Sequence, residues 1–416
     1  MKKEKILPFI TAFWFFVTIN SFFTWNNYRP LFHVIPTFFI VVLSFSFLKK
    51  KNHFANSNRI FFSVFIFVAW FVLRSNLHIN AILLRLFDFI PLFFILYMPK
   101  SYLANTYDII RKVFIFYSIG GAIIFLLSMF GVLGQIPHYV LPAQETIHKD
   151  LGLNYNVYGV FPILNNREIF VRCFGMTQEP GHFSIYLGLV YLVDRLMRGK
   201  INYWFFPGAL AAFSSTFFII LIATETIMFV FSKKRKHLFK YVMYLIAFFL
   251  LIISVYTTLP KTYKTEIDYL FYGRNLEQAT EIFEASNSLD DALNTRASAE
   301  GLSIYDNIDG NTFLFGGEEL TDILSDYRGL IVTLGVIGII LSFICVNSLA
   351  MQSSLKMKLI LYAIYVLVLL HRSWMIPYPS IYTLFFLIIA LSSDSQFYSK
   401  RELRIPVKDI ENKYNH

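Results

Sequence analysis

Apolar residues run along this chain in blocks of about 15 to 20, separated by short clusters of lysine and arginine, the pattern of repeated bilayer crossings. The blocks cover 6–25, 31–48, 60–73, 81–98, 113–132, 181–197, 241–258, 329–348, 359–370 and 381–392. The first follows the basic Met1-Lys2-Lys3-Glu4-Lys5; it is long for a signal peptide and no small-residue cleavage site follows, so it reads as an uncleaved helix. The stretch 201–231 is long for one span and lies between Arg198 and Lys200 on one side and Lys233, Lys234, Arg235 and Lys236 on the other. Both flanks read as cytoplasmic, so this stretch must cross an even number of times, as a hairpin of two short helices turning at Phe213-Ser214-Ser215-Thr216 would. The pattern predicts an all-α polytopic integral membrane protein of about twelve transmembrane helices, with both termini cytoplasmic and two large extracytoplasmic loops.

On this layout residues 1–132 carry the first five spans and 133–180 form the first outer loop. Residues 181–258 carry four more spans, including the hairpin, and 259–328 form a second outer loop. The last three spans lie in 329–392, and 393–416 form a basic cytoplasmic tail. In the second loop Leu276, Ala279, Ile282 and Phe283 fall on one helical face, and Ser288-Leu289-Asp290-Asp291 reads as a cap that starts a helix carrying Arg296.

Composition agrees: of 416 residues 56% are hydrophobic, only 15% are charged and 47 are Phe. That excludes a disordered chain and argues against a soluble enzyme. The 37 Lys and Arg against 27 Asp and Glu give +10, which in a soluble protein would suggest nucleic acid. Here it resolves by side, because 25 of the 37 fall in the cytoplasmic segments, as the positive-inside rule expects. Of the twelve outside, nine are Arg. The 259–328 loop holds fourteen acids against five basic residues, near −9, which leaves the rest of the chain near +19. Lys sets orientation, whereas Arg, the better fork for phosphate, gathers outside. Cys173 and Cys345 are too far apart in this layout for a disulfide framework.

Soluble-enzyme motifs are missing: there is no nucleotide-type glycine loop, no His-Glu-x-x-His, no Cys-x-x-Cys and no Gly-x-Ser-x-Gly. No cofactor and no resident metal are expected. The informative stretch is Arg172-Cys173-Phe174-Gly175-Met176-Thr177-Gln178-Glu179-Pro180-Gly181-His182-Phe183. Pro180 and Gly181 open the following span, so Glu179 sits at a helix N-terminus, where it is either a plain cap or a base. Arg172, Glu179 and His182 bring a phosphate fork, a carboxylate and a titratable ring to one depth. Elsewhere, Arg85 and Asp88 stand i,i+3 in the fourth span and read as a structural pair, and Trp374, Tyr378 and Tyr382 as interfacial aromatics. His371-Arg372 reads as a boundary feature at the end of a span.

The Arg-x-x-Gly-x-x-x-Glu-Pro-Gly-His stretch resembles the "F-x-E-P" segment of Wzy-type polymerases of O-antigen and capsular polysaccharides, in the O-antigen polymerase/ligase superfamily. Phe213-Ser214-Ser215-Thr216 is similar to that family's polar turn between short spans. The run from Asn294-Thr295-Arg296, through Asn311-Thr312-Phe313-Leu314-Phe315-Gly316-Gly317, to Ser325-Asp326-Tyr327-Arg328 and Gly335-Val336-Ile337-Gly338 follows the family's order as well. The resemblance covers about residues 110–350. The Arg-x10-Gly patterns of some members have no counterpart here, so Arg172 and Arg296 are assigned by context.

The resemblance implies a substrate on a polyprenyl diphosphate, polymerised at the outer face of the bacterial inner membrane, with room for a chain-length regulator as protein partner and none for nucleic acid. Glu179 or His182 would take the acceptor hydroxyl proton, and Arg172 and Arg296 would stabilise the departing diphosphate. Arg274, Arg328, Asp326 and Tyr327 would help to bind the diphosphate or glycan. The ligase that moves finished O-antigen to the lipid A core shares this architecture. From another class, a lipid-linked oligosaccharide flippase also suits twelve spans, though one long outer loop and Arg crowded outside weigh against it.

Overall fold

The computed structural model describes residues 3–19, 21, 29–48, 57–74, 79–142, 154–164, 172–177, 179–231, 256–258, 261, 264–265, 299–317, 327–351 and 353–392. Among them the chain is mostly helical. The helices are α1 (Lys3–Thr18), α2 (Arg29–Leu48), α3 (Ser57–Arg74), α4 (Ile79–Ile95), α5 (Lys100–Met129), α6 (Pro180–Arg198), α7 (Phe206–Ala211), α8 (Ser215–Val230), α9 (Ala299–Asp306), α10 (Gly310–Phe315), α11 (Tyr327–Ala350), α12 (Leu355–Arg372) and α13 (Pro379–Leu391). The span expected over 241–258 lies almost wholly outside the described residues, as do the helices expected around Leu276–Phe283 and Arg296.

Two described helices, α5 and α11, are long and apolar enough to cross a membrane, and α8 and α13 are shorter apolar helices. The outer faces of the bundle expose large apolar side chains in number: Phe38 (61%), Phe62 (60%), Phe65 (54%), Phe116 (52%) and Ile340 (52%) are examples. A water-soluble monomer does not leave so broad an apolar surface uncovered. Inside the bundle, α13 is buried along its whole length, as a helix apolar on every side requires. It packs against α6, α5, α11, α4 and α1. Tyr382, expected at an interface, is 2% exposed and packs on Phe67 and Phe385, because α13 is the core helix rather than a peripheral one.

The all-α expectation needs correction within residues 133–180. Strands β1 (Tyr139–Pro142), β2 (Asn154–Tyr158) and β3 (Phe161–Leu164) form an antiparallel sheet in the order β1-β2-β3. Gly159, at φ 65°, makes the tight turn between β2 and β3. Phe161 then packs over α5 against Phe116 and Tyr117. These strands are short, and their apolar residues are too few to stand out from the loop.

The 201–231 segment breaks where its polar turn lies: α7 ends at Ala211, Phe213 takes φ 47°, and α8 starts at Ser215. Its first limb is a 3-10 turn (Tyr203–Phe205) followed by the short α7. At one end Asn202 Nδ2 donates to Asp194 Oδ2 (3.0 Å), near the C-terminal end of α6. At the other, Ala211 O accepts from Cys173 N (2.8 Å), ahead of the start of α6. Midway, Ser118 Oγ of α5 donates to Trp204 O (2.7 Å) and accepts from Gly208 N (2.8 Å), which takes up backbone groups a short helix leaves open.

Charged groups cluster at the Asp194 end. Arg195 forks onto Glu225 of α8 (Nε–Oε1 2.7 Å, Nη2–Oε2 3.1 Å), and Tyr191 donates to the same carboxylate (3.0 Å). Arg198 reaches the fully buried Asp194 at 3.0 Å, and Asp108 pairs with Arg111 and Lys112. This network ties α5, α6 and α8 together. In the other half of the bundle, Asp88 of α4 pairs with His33 of α2, both buried, and Thr37 Oγ1 donates to Phe87 O (3.0 Å). The partner of Asp88 is thus His33, on a neighbouring helix; the Arg85 side chain lies outside the described residues.

The glycines of the 311–338 stretch have a shared geometric role. Gly335, at φ 69°, kinks α11, and Gly316, at φ 71°, ends α10. The two backbones touch: a Cβ on Gly335 would lie 2.3 Å from Leu314 O, and one on Gly316 would lie 2.4 Å from Thr333 O. The kink interrupts the helical ladder, and outside donors take up carbonyls of the preceding turn. Trp70 Nε1 donates to Leu334 O (2.8 Å) and Gly317 N to Val332 O (3.1 Å). Arg74 caps this joint, its guanidinium 5.3 Å from the Trp70 ring and 4.9 Å from that of Phe315. Gly335→Ala is expected to lower stability by about 1–3 kcal/mol, read as a lower Tm of the detergent-purified protein and faster proteolysis between α9 and α11.

Candidate functional site

The site is built by segment 172–179 and the first turn of α6. Cys173 N is anchored on Ala211, and its side chain fits against Gly121 of α5, where a Cβ would lie 2.0 Å from Sγ. Gly175, at φ 58°, turns the chain so tightly that the Phe183 ring covers it. Thr177 Oγ1 lies 2.9 Å from the carbonyls of both Phe174 and Glu179, which closes the turn. Pro180 then opens α6, and Gly199 closes it in the left-handed region, the usual asymmetry of helix ends.

Glu179 occupies the N-cap position with φ −138° and ψ 149°, and its side chain makes no capping hydrogen bond. Its carboxylate instead pairs with Arg372, at the C-terminal end of α12, Nη2 to Oε2 3.0 Å, both side chains about 30% exposed. The guanidinium rests on the first turn of α6: a Cβ on Gly181 would lie 3.1 Å from Arg372 Nη2. Glycine there gives Arg372 room to reach the carboxylate. Tyr155 of β2 lies under Phe174, and its hydroxyl pKa is raised first by burial and then by the Glu179 charge.

His182 is fully buried. Its ring packs 5.2 Å from that of Tyr186 and 6.3 Å from that of Tyr378, and the Tyr186 hydroxyl bonds Ser380 (2.6 Å) at the start of α13. Of the two candidate bases, then, Glu179 reaches the surface and His182 lies beneath it in the packing. Arg172 lines a shallow cleft with Gly121, Ile124, Phe161, Pro162 and Ile163, between α5 and β3. Arg328 is 7% exposed and lies over the Tyr305 ring at 6.0 Å, while Tyr327 beside it is exposed. Arg274, Arg296 and Asp326 lie outside the described residues.

The structure thus brings Glu179 and His182 to one helix end and places Arg172 on the segment that leads to it. Arg372, read from the sequence as a boundary residue, is the partner of Glu179. Its one sequence signal is an Arg ending an apolar helix before Ser373-Trp374, which a membrane boundary also explains.

Between Glu179 and Asp194 run about fourteen residues of helix, or about 21 Å. The carboxylate–guanidinium pair and the Asp194 network therefore stand at opposite ends of one buried helix, separated by less than the roughly 30 Å of a bilayer's hydrocarbon core.

Burial pushes the Cys173 thiol up to about 12, so it stays protonated at pH 8. Cys345 is also a free, buried thiol. Neither cysteine is expected to react with a maleimide at pH 8 in the folded protein, and both should react after denaturation, as read by mass spectrometry.

No family model, no curated protein and no solved structure matches the chain.

Proposed function

We propose that this protein is a membrane glycosyltransferase that joins polyprenyl-diphosphate-linked oligosaccharide repeat units into an O-antigen or capsular polysaccharide at the outer face of the bacterial inner membrane, releasing polyprenyl diphosphate. The topology that goes with it has about twelve crossings and cytoplasmic termini, with the lysine clusters inside. In that topology the Asp194 network lies near the inner boundary, and Glu179 lies recessed at the outer side.

The observation that carries the proposal is the Glu179 carboxylate, which leaves its own helix end uncapped and faces an arginine at an accessible position. A base and fixed positive charge are what this transfer needs, since a diphosphate is already a good leaving group. Glu179 takes the proton of the acceptor sugar hydroxyl as that oxygen attacks the anomeric carbon of the donor glycan. Arg172, on the segment that leads to Glu179, and Arg296 balance the charge that develops on the departing diphosphate. The exposed apolar faces of α2, α3 and α5 support a lipid-embedded enzyme whose carrier lipid arrives from the side.

A deletion strain tests the reading. A single repeat unit on the surface is expected; finished polymer left unattached would indicate a ligase, and lipid-linked units trapped in the inner leaflet a flippase. Complementation with Arg172→Ala, Arg296→Ala or Glu179→Gln should fail at normal membrane levels, with polymerisation reduced about 100-fold or more. Full-length polymer from these variants would refute the mechanism.

A further inference from the structure

We infer that Arg74, the last residue of α3, binds a phosphate group carried on a membrane lipid. The lipid is either the polyprenyl diphosphate of the reaction proposed above or an anionic phospholipid; in the first case the inference rests on that reading and adds a residue to it.

Arg74 carries its charge without an acid beside it. Its guanidinium lies over the rings of Trp70 (5.3 Å) and Phe315 (4.9 Å), and among the described residues it makes no hydrogen bond and no ion pair. Contact with ring faces holds the cation and leaves its N–H donors unspent. The side chain is half-buried, yet none of its nitrogens is sealed from the surface. The C-terminal end of α3 offers roughly half an elementary charge of opposite sign, which steadies the cation without using its donors. A planar fork held by two rings, with donors still to place, suits a phosphate, whose oxygens accept two N–H groups side by side.

Helix packing puts this fork at the end of the bundle that holds Glu179. Cys345 Sγ donates to Ser63 O (3.0 Å) and Trp70 Nε1 to Leu334 O (2.8 Å), so α3 and α11 run antiparallel. Arg74, one turn or about 6 Å beyond Trp70, therefore stands level with the start of α11. Tyr362 donates to Asn347 Oδ1 (2.7 Å) and Ser342 bonds the Tyr365 hydroxyl, so α12 runs back antiparallel to α11. It finishes at the same end, where Arg372 meets Glu179. The approach for a lipid lies on α3 itself. Phe62, Phe65, Ile66 and Leu73 form an exposed apolar stripe that ends next to Arg74. A lipid chain along that stripe brings its phosphate to the guanidinium, as basic pockets between membrane helices take lipid head groups.

The test measures lipid binding to the full-length protein in dodecyl maltoside by native mass spectrometry. Undecaprenyl diphosphate is compared with undecaprenol, and dioleoylphosphatidylglycerol with dioleoylglycerol, so each phosphate is read against the same chain without one. Arg74→Gln should weaken binding of a phosphate-bearing lipid about tenfold and leave both phosphate-free lipids unchanged. Should Arg74→Gln fail to fold, Arg74→Lys, which keeps the charge and loses the fork, should still bind more weakly than wild type. Loss confined to undecaprenyl diphosphate names the carrier as the ligand, loss confined to phosphatidylglycerol names a phospholipid, and loss of both a site open to either. Wild-type affinity for the phosphate-bearing lipids in both variants, or an equal loss with the phosphate-free lipids, would overturn the site and leave the polymerase reading standing. If wild type binds phosphatidylglycerol through Arg74 but no undecaprenyl diphosphate, the site stands and that reading fails. If wild type prefers neither phosphate-bearing lipid to its phosphate-free counterpart, both fail.

Discussion

A helix that stops inside an apolar bundle leaves backbone groups with no water to bond, and this constraint organises the structure. Two breaks among the described residues are matched by partners from other parts of the chain. The end of α7 gives its Ala211 carbonyl to Cys173, and its start is served by Ser118. The kink at Gly335 gives the Leu334 carbonyl to the Trp70 indole. These partners do more than satisfy valences. The first fixes the segment that carries Arg172 toward Glu179, and the second docks α10 and the end of the acidic loop onto the bundle.

Charge follows the same economy. The buried helix α6 has a dense ion network at its C-terminal end and the part-exposed Glu179–Arg372 pair at its start. At the C-terminal end, acids and bases from α5, α6 and α8 are shared among several partners, so removing one leaves others in place. At the start, Glu179 and Arg372 face each other at the rim, where a competing anion can reach them.

Much of the site was legible. Pro180-Gly181 announced a helix start, so Glu179 was placed at its N-terminus from local signals alone. The Phe213-Ser214-Ser215-Thr216 break was legible for the same reason, since polar residues inside an apolar run mark a turn. That its carboxylate turns to Arg372 rather than capping the helix was not, because Arg372 lies far along the chain on another helix. Asp88 shows the same limit: its nearest basic residue in sequence is Arg85, and the structure gives it His33 of another helix. The strands within residues 133–180 were missed although Gly159-Val160 between Tyr158 and Phe161 offered a hairpin signal.

The sequence by itself determined the helical character of the chain, its apolar blocks, its breaks and the asymmetry of its charges. All of these depend on residues near one another, through periodicity, propensity and local turn chemistry. Which breaks meet was decided only in three dimensions. Gly316 against Gly335, Cys173 against Ala211 and Glu179 against Arg372 are pairings across long stretches of chain. Each member is an ordinary residue in its own neighbourhood, and it acquires its role from the helix that packing brings beside it.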